Sequence, residues 1–117
     1  MNKKKNKLHD EIVPQMAETL KALGHPLRLR LFEALAGEEK SVGQLVLDLE
    51  IPQAIASQQL RIMKQGQVVQ CRRQGALMLY RLTHDGLLNL LKCLYSCQDH
   101  CLLLLPPKSL KKTRKGE

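Results

Sequence analysis

At 117 residues, with 44% hydrophobic and 3% aromatic content, the chain has room for one soluble domain rather than two, and its core must come from Leu, Ile, Val, Ala and Met. No apolar run approaches the roughly 18 residues of a membrane span, and the basic start "MNKKKNKLHDEI" leads into no apolar stretch; neither a transmembrane span nor a secretory signal is expected, and the cytoplasm is the expected location. The net charge of +8 sits at the ends: without Lys3, Lys4, Lys5, Lys7, Lys108, Lys111, Lys112, Arg114, Lys115 and Glu117, residues 8–107 carry 10 cations and 10 acids.

Residues 8–23 place Leu8, Ile12, Met16, Ala17, Leu20 and Leu23 at near-helical spacing, with Pro14 suited to the first turn of an amphipathic helix. "GHP" at 24–26 breaks the chain, and Pro26 opens a second helix carrying Leu27, Leu31 and Leu35, which Gly37 stops. Ser41 is the expected N-cap of a short helix with Val42, Leu45, Val46 and Leu49 on one side. After "IPQ" a further helix runs to Gly66, with Ile55, Leu60 and Met63 expected to face the core. Two short helices joined by a few residues are a helix-turn-helix pattern. "VVQCRR" and "LMLYRL" then read as strands of a hairpin turning at Gly75. The helical period returns from Asp85, with Leu87, Leu90, Leu91 and Leu94 in a stripe, until "PP" at 106–107. The expected organisation is a basic N-terminus at 1–7, one domain over 8–105 and a basic tail at 106–117.

The charges of the body are segregated. Eight of its ten acids lie at or before Glu50, whereas residues 51–84 contain no acid but hold Arg61, Lys64, Arg72, Arg73 and Arg81. A one-sided segment of this kind, laid over a helix-turn-helix, points to double-stranded DNA. Gln53, Ser57, Gln58 and Gln59 are the candidate base-reading residues, because Gln can bond adenine bidentately and Ser donates or accepts. Arg61, Lys64, Arg72 and Arg73 are the candidate contacts to phosphates or the minor groove.

The runs "LKALGHPLRLRLFEAL", "SVGQLVLDLEIPQAIASQQLRIMKQGQVV" and "RRQGALMLYRL" resemble the ArsR-type transcriptional regulators over roughly residues 15–83. The resemblance implies a winged helix-turn-helix, mainly α with a β-hairpin wing (α-α-α-α-β-β-α), and a homodimer formed through the first and last helices. It also implies a repressor that leaves its operator when a metal, metalloid or oxidant is sensed. The chain departs from the family pattern at Pro52, where a capping serine is usual, and at Gln67, where leucine or isoleucine is usual.

The last helical segment carries "KCLYSCQDHC", in which Cys93, Cys97, His100 and Cys101 share one helix face. In a reducing compartment such thiols read as metal ligands, redox sites or packing residues rather than a disulfide framework. Thiolates and imidazole suit Zn(II), Cd(II), Pb(II) or As(III), and thiolates also hold iron–sulfur clusters. From one straight helix a single ion cannot collect all four, since Cys93 and Cys101 are roughly 12 Å apart; the helix unwinds, the ligands divide, or a partner chain completes the site. One subgroup of the family binds metal between antiparallel last helices, and the positions matching its pattern here are His84, Gly86, Cys97 and His100, of which Gly86 cannot ligate. The family's other well-known site, a Cys-x-Cys pair before the recognition helix, is absent from "EKSVGQL".

Catalysis is not expected. His100 and Cys101 are helix neighbours pointing about 100° apart, so they form no nucleophile–base pair. His9 and His25 read as a surface residue and a residue that opens a helix, and Cys71 as a packing residue of the wing. Three readings stay open: a repressor released by a thiophilic ion at the Cys/His cluster, a redox or iron–sulfur sensing repressor using the same cysteines, or an effector-free winged-helix DNA-binding or interaction protein.

Overall fold

In the computed structural model residues 6–106 are described; most of the expected basic N-terminus and tail lie outside them. The chain divides into one unit ending at Asp85 and a second beginning at Gly86. Helix α1 spans Val13–Leu23, with Pro14 in its first turn, and α2 spans Pro26–Ala34. His25 closes the N-terminus of α2: its Nδ1 accepts the Leu27 amide at 3.1 Å.

Strand β1 is only Lys40–Ser41, and helix α3 follows over Val42–Leu49. The expected Ser41 cap is present and is half of a reciprocal pair. The Gln44 amide donates to Ser41 Oγ at 3.2 Å, and the Ser41 amide donates to Gln44 Oε1 at 2.9 Å, so two otherwise unpaired donors are satisfied. The chain leaves α3 through Glu50, in the left-handed region at φ 55, and enters α4, Gln53–Gln65.

Strands β2 (Val69–Gln74) and β3 (Leu77–Leu82) pair antiparallel from Val69 opposite Leu82 to Gln74 opposite Leu77. Gly75 turns the hairpin at φ 63, a positive value that type II′ turns require at the first central position. The sheet has three strands in the order β1–β3–β2, one more than the hairpin expected from the sequence. Two residues leave no readable period; β1 exists because Lys40 and Ser41 pair with Tyr80 and Leu79.

The core of the first unit is aliphatic, as the composition demands. Leu31, Phe32, Leu45, Ala56, Leu60, Met63 and Val68 are wholly buried. Each large side chain among them contributes about 1.5–3 kcal/mol relative to exposure. The expectation for Ile55 is corrected: it is 38% exposed, and the inner stripe of α4 is Ala56, Leu60 and Met63, one residue further round. Ala56 holds the inner place because α4 packs against α1, α2 and α3 together.

Helix α1 and the end of α4 approach each other closely. A Cβ at Gly66 would stand 2.4 Å from the Ala22 Cβ, so glycine is required there for space, although its φ is −83. Thr19 Oγ1 donates to the Gly66 carbonyl at 2.8 Å across the same contact.

In the second unit, α5 is one helix over Gly86–Leu103, whose buried residues are Leu87 and Leu91. Leu94, expected in the same stripe, is exposed. No helix among the described residues is long and apolar enough to cross a membrane.

Gly66→Ala is expected to lower unfolding stability by about 1–3 kcal/mol through overpacking against Ala22. Adding Ala22→Gly should recover part of the loss, and urea denaturation midpoints of the two variants measure both effects.

Candidate nucleic-acid interface

Burial of Ala56, Leu60 and Met63 decides which side of α4 remains outside. Gln53, Gln58, Arg61 and Lys64 are exposed there, and Ser57 is half-buried. Gln53, Ser57 and Arg61 fall one helical turn apart in a strip, with Gln58 beside it. Pro52 gives the first turn of α4 no side-chain cap; its carbonyl accepts the Ile55 and Ala56 amides at 3.1 Å. The departure at Pro52 therefore leaves the leading amides and positive helix end without a side-chain acceptor, the arrangement that phosphate oxygens favour.

Gln59 is placed differently from the other candidate readers. It is half-buried, and its Oε1 accepts Nη1 of Arg28 at 2.9 Å, while Arg28 Nε donates to the Ala22 carbonyl at 2.6 Å. Arg28 thereby ties the middle of α4 to the last turn of α1. The two partners of Arg28 are six and 31 residues away, which no local pattern reveals.

On the wing, Arg72 and Arg73 are consecutive strand residues and point to opposite faces. Arg73 is exposed and pairs with no acid among the described residues. Arg72 is engaged by Glu39 in a two-bond fork, Nε to Oε2 and Nη2 to Oε1, each 2.8 Å. The Arg72 hydrogen bonds hold the Glu39 carboxyl below the usual glutamate range, and the charge of Arg81 acts in the same direction. Glu39 was missed in the sequence because it precedes the acid-free segment and is brought to the wing by strand pairing.

Gln67, the second departure from the family pattern, is exposed at φ 63 in the turn leaving α4. Its carbonyl accepts Thr83 Oγ1 at 2.8 Å. Cys71 is half-buried opposite Tyr80, whose phenol is pushed up first by burial and then by the Cys71 thiol.

Cys93, Cys97, His100 and Cys101 all lie on α5, which stays helical through Leu103, and all four are exposed. The helix does not unwind after Cys97, so Cys93 and Cys101 remain roughly 12 Å apart along the axis. Among the described residues no group of three or more His, Cys, Asp or Glu side chains is brought close enough to hold one metal ion.

The winged helix-turn-helix geometry has close counterparts. Residues 25–70, from the cap of α2 to the start of β2, match the model of the bacterial regulatory proteins of the arsR family. A biofilm growth-associated repressor of Agrobacterium fabrum is 40% identical over 82 residues, 70% of either chain. The chain belongs to the ArsR family. Among solved structures, the transcriptional repressor BigR from Xylella fastidiosa superposes with a TM-score of 0.66 at 36% identity, covering 74% of this chain and 89% of that one. The homodimeric winged helix-turn-helix DNA-binding domain Mb0332 from Mycobacterium bovis superposes with a TM-score of 0.71 at 26% identity, covering 83% and 93%. As an ArsR-family protein the chain is a helix-turn-helix transcriptional regulator and not an enzyme.

Gln58→Ala is expected to weaken operator binding by about 1–3 kcal/mol and to relax preference at one base-pair position. Arg61→Ala should instead weaken all duplexes alike and reduce the salt slope by about 1. Binding isotherms on operator and point-substituted operators separate the two behaviours.

Proposed function

We propose that this ArsR-family regulator is a homodimeric transcriptional repressor, released from its operator when a thiophilic metal or metalloid ion binds Cys93, Cys97, His100 and Cys101. In this reading residues 53–64 enter successive major grooves and the 72–75 wing touches the DNA backbone. The observation that carries the DNA part is the outer face of α4, where Gln53, Gln58, Arg61 and Lys64 are exposed in a segment with no acid of its own. Repression is supported by the Agrobacterium and Xylella relatives, which are repressors by name.

A dimer is supported by the homodimeric Mycobacterium bovis relative and by α1 with the segment that leads into it, where Leu8, Ile12, Val13, Met16 and Leu20 are all exposed. An apolar stripe of that length on a small domain marks an association surface. Two copies also suit a palindromic operator.

For the ion, the donor set fits in kind. Three thiols and an imidazole on one exposed helix face are the ligands that soft and borderline ions select. In number the fit requires division, because neighbours at i, i+4 are about 6 Å apart while the outer pair is twice that. Two donors from one helix can share an ion, and a second copy of the chain supplies the rest. A bound ion would draw the thiols together as thiolates; the chain's own contribution is to hold the donors in line on a rigid helix. Movement of the two protomers relative to each other would then spoil the spacing of the two α4 helices.

The test uses protein purified without oxygen and titrated with As(III), Cd(II) and Zn(II) while binding to its promoter DNA is followed. A thiolate charge-transfer band growing with ion, together with operator affinity falling about 5–150-fold, is expected. Serine at Cys93, Cys97 and Cys101 should abolish both. A visible band before any addition would turn the reading to an iron–sulfur cluster. Release only after peroxide would turn it to thiol oxidation, and unchanged affinity throughout would leave an effector-free DNA-binding protein.

A further inference from the structure

The acid-free stretch 51–84 receives one carboxylate from outside itself. Glu39, just before β1, reaches over the middle strand β3 to Arg72 on β2, a span of two strand spacings or about 10 Å. Both oxygens are used, and Arg72 Nη2 lies a further 3.4 Å from Gln74 Oε1. The carboxylate thus occupies the Nε–Nη2 edge of the guanidinium, one of the edges through which arginine grips a phosphate with two parallel hydrogen bonds, and engages one nitrogen of the other. The Arg72 side chain is 53% exposed and that of Glu39 25%, so the pair sits on the surface with its acid the more sheltered member. Arg81 adds a second positive charge near the same carboxylate. Arg73, one residue further along the strand, has no such partner among the described residues.

We propose that Glu39 withholds Arg72 from DNA phosphates, so that Arg73 is the phosphate-contacting arginine of the wing and the protein binds non-specific duplex less tightly than its cation count implies. The inference rests on the reading of this wing as a DNA contact. Non-specific affinity is set almost wholly by the number of phosphates neutralised and the counterions released. A guanidinium already neutralised by a fixed carboxylate adds nothing to that number. In a genome crowded with non-specific sites, the useful quantity is the ratio of specific to non-specific affinity, and removing one cation per protomer from the non-specific part raises it.

The alternative is that the fork merely braces β1 against the hairpin, and the two roles predict opposite signs. Fluorescence anisotropy of a labelled duplex of arbitrary sequence, measured over a series of KCl concentrations, distinguishes them. Glu39→Gln is expected to bind more tightly than the wild type at every concentration, with the salt slope steeper by about 0.9 per protomer. In an Arg72→Gln background the same substitution should change neither quantity. Weaker or unchanged binding by Glu39→Gln overturns the proposal. So does a gain that persists without Arg72, since that would be simple repulsion between Glu39 and DNA. On the wild type, the Arg72 Nε–H resonance should stay in place when the duplex is added while that of Arg73 moves; a displaced Arg72 resonance also overturns it. A wild-type protein with no salt-dependent binding at all would remove the DNA reading itself, and the inference with it.

Discussion

The orientation of the candidate DNA-facing surface depends on how closely α1 can approach α4. With no side chain at Gly66 and only a methyl at Ala22, the two backbones come near enough for Thr19 to bond the Gly66 carbonyl and for Arg28 to bridge the Ala22 carbonyl and Gln59. The recognition helix is thereby held at its middle and at its end, in addition to the buried stripe of Ala56, Leu60 and Met63. Polar ties fix direction where apolar contact alone permits sliding, because a hydrogen bond weakens steeply with misalignment. A helix so held presents Gln53, Gln58 and Arg61 in a defined orientation, and it follows any displacement of α1 as one body. If α1 lies at a dimer interface, the geometry of the dimer becomes the geometry of the reading heads.

Charge is organised by pairing as much as by position. The stretch 51–84 looks uniformly cationic in one dimension, yet Arg72 is neutralised by Glu39 and Arg81 is bonded to the neutral Gln70. On the other side of the sheet's start, Lys40 is tied to Asp48 at 2.7 Å, which raises its pKa and spends its charge internally. Among the described residues of 51–84, the cations without an acid partner are thus Arg61 and Lys64 on the helix and Arg73 and Arg81 on the wing, one fewer than the segment's count suggests. Exposed ion pairs contribute little to stability, typically 0–1 kcal/mol, so their consequence lies in what they remove from the binding surface.

The thiol-bearing helix shows the same relation between local order and chemistry. Continuity of α5 through Leu103 keeps Cys93, Cys97 and Cys101 evenly spaced and exposed, which suits each for coordination and prevents all of them from closing on one ion. Had the helix unwound after Cys97, one chain would have sufficed for a site. In the proposed function, a rigid helix would make sensing a property of two chains, and so couple it to their arrangement.

Much was legible in the sequence because it depends on neighbours in the chain. Apolar residues at helical spacing, Pro14 and Pro26 in first turns, Ser41 as a cap and Gly75 as a hairpin turn are local physics, and the order of elements and the helix-turn-helix followed from them; the family came from the resemblance of the motif runs. The exposed positions of α4 were legible for the same reason, apart from Gln59, which Arg28 engages, and a one-residue shift in the inner face: Ile55 and Ala56 are both apolar, and only the space between α1, α2 and α3 selects the smaller. What the sequence could not specify were partners distant along the chain. The third strand, the Glu39–Arg72 fork, the Arg28–Gln59 tie and the steric need for Gly66 each join residues brought together by folding. Periodicity carries the identity of a helix or strand because one residue's φ and ψ are felt by the next few. It carries nothing about which surfaces meet, so the tertiary structure alone decided which of the candidate DNA contacts are left unpaired.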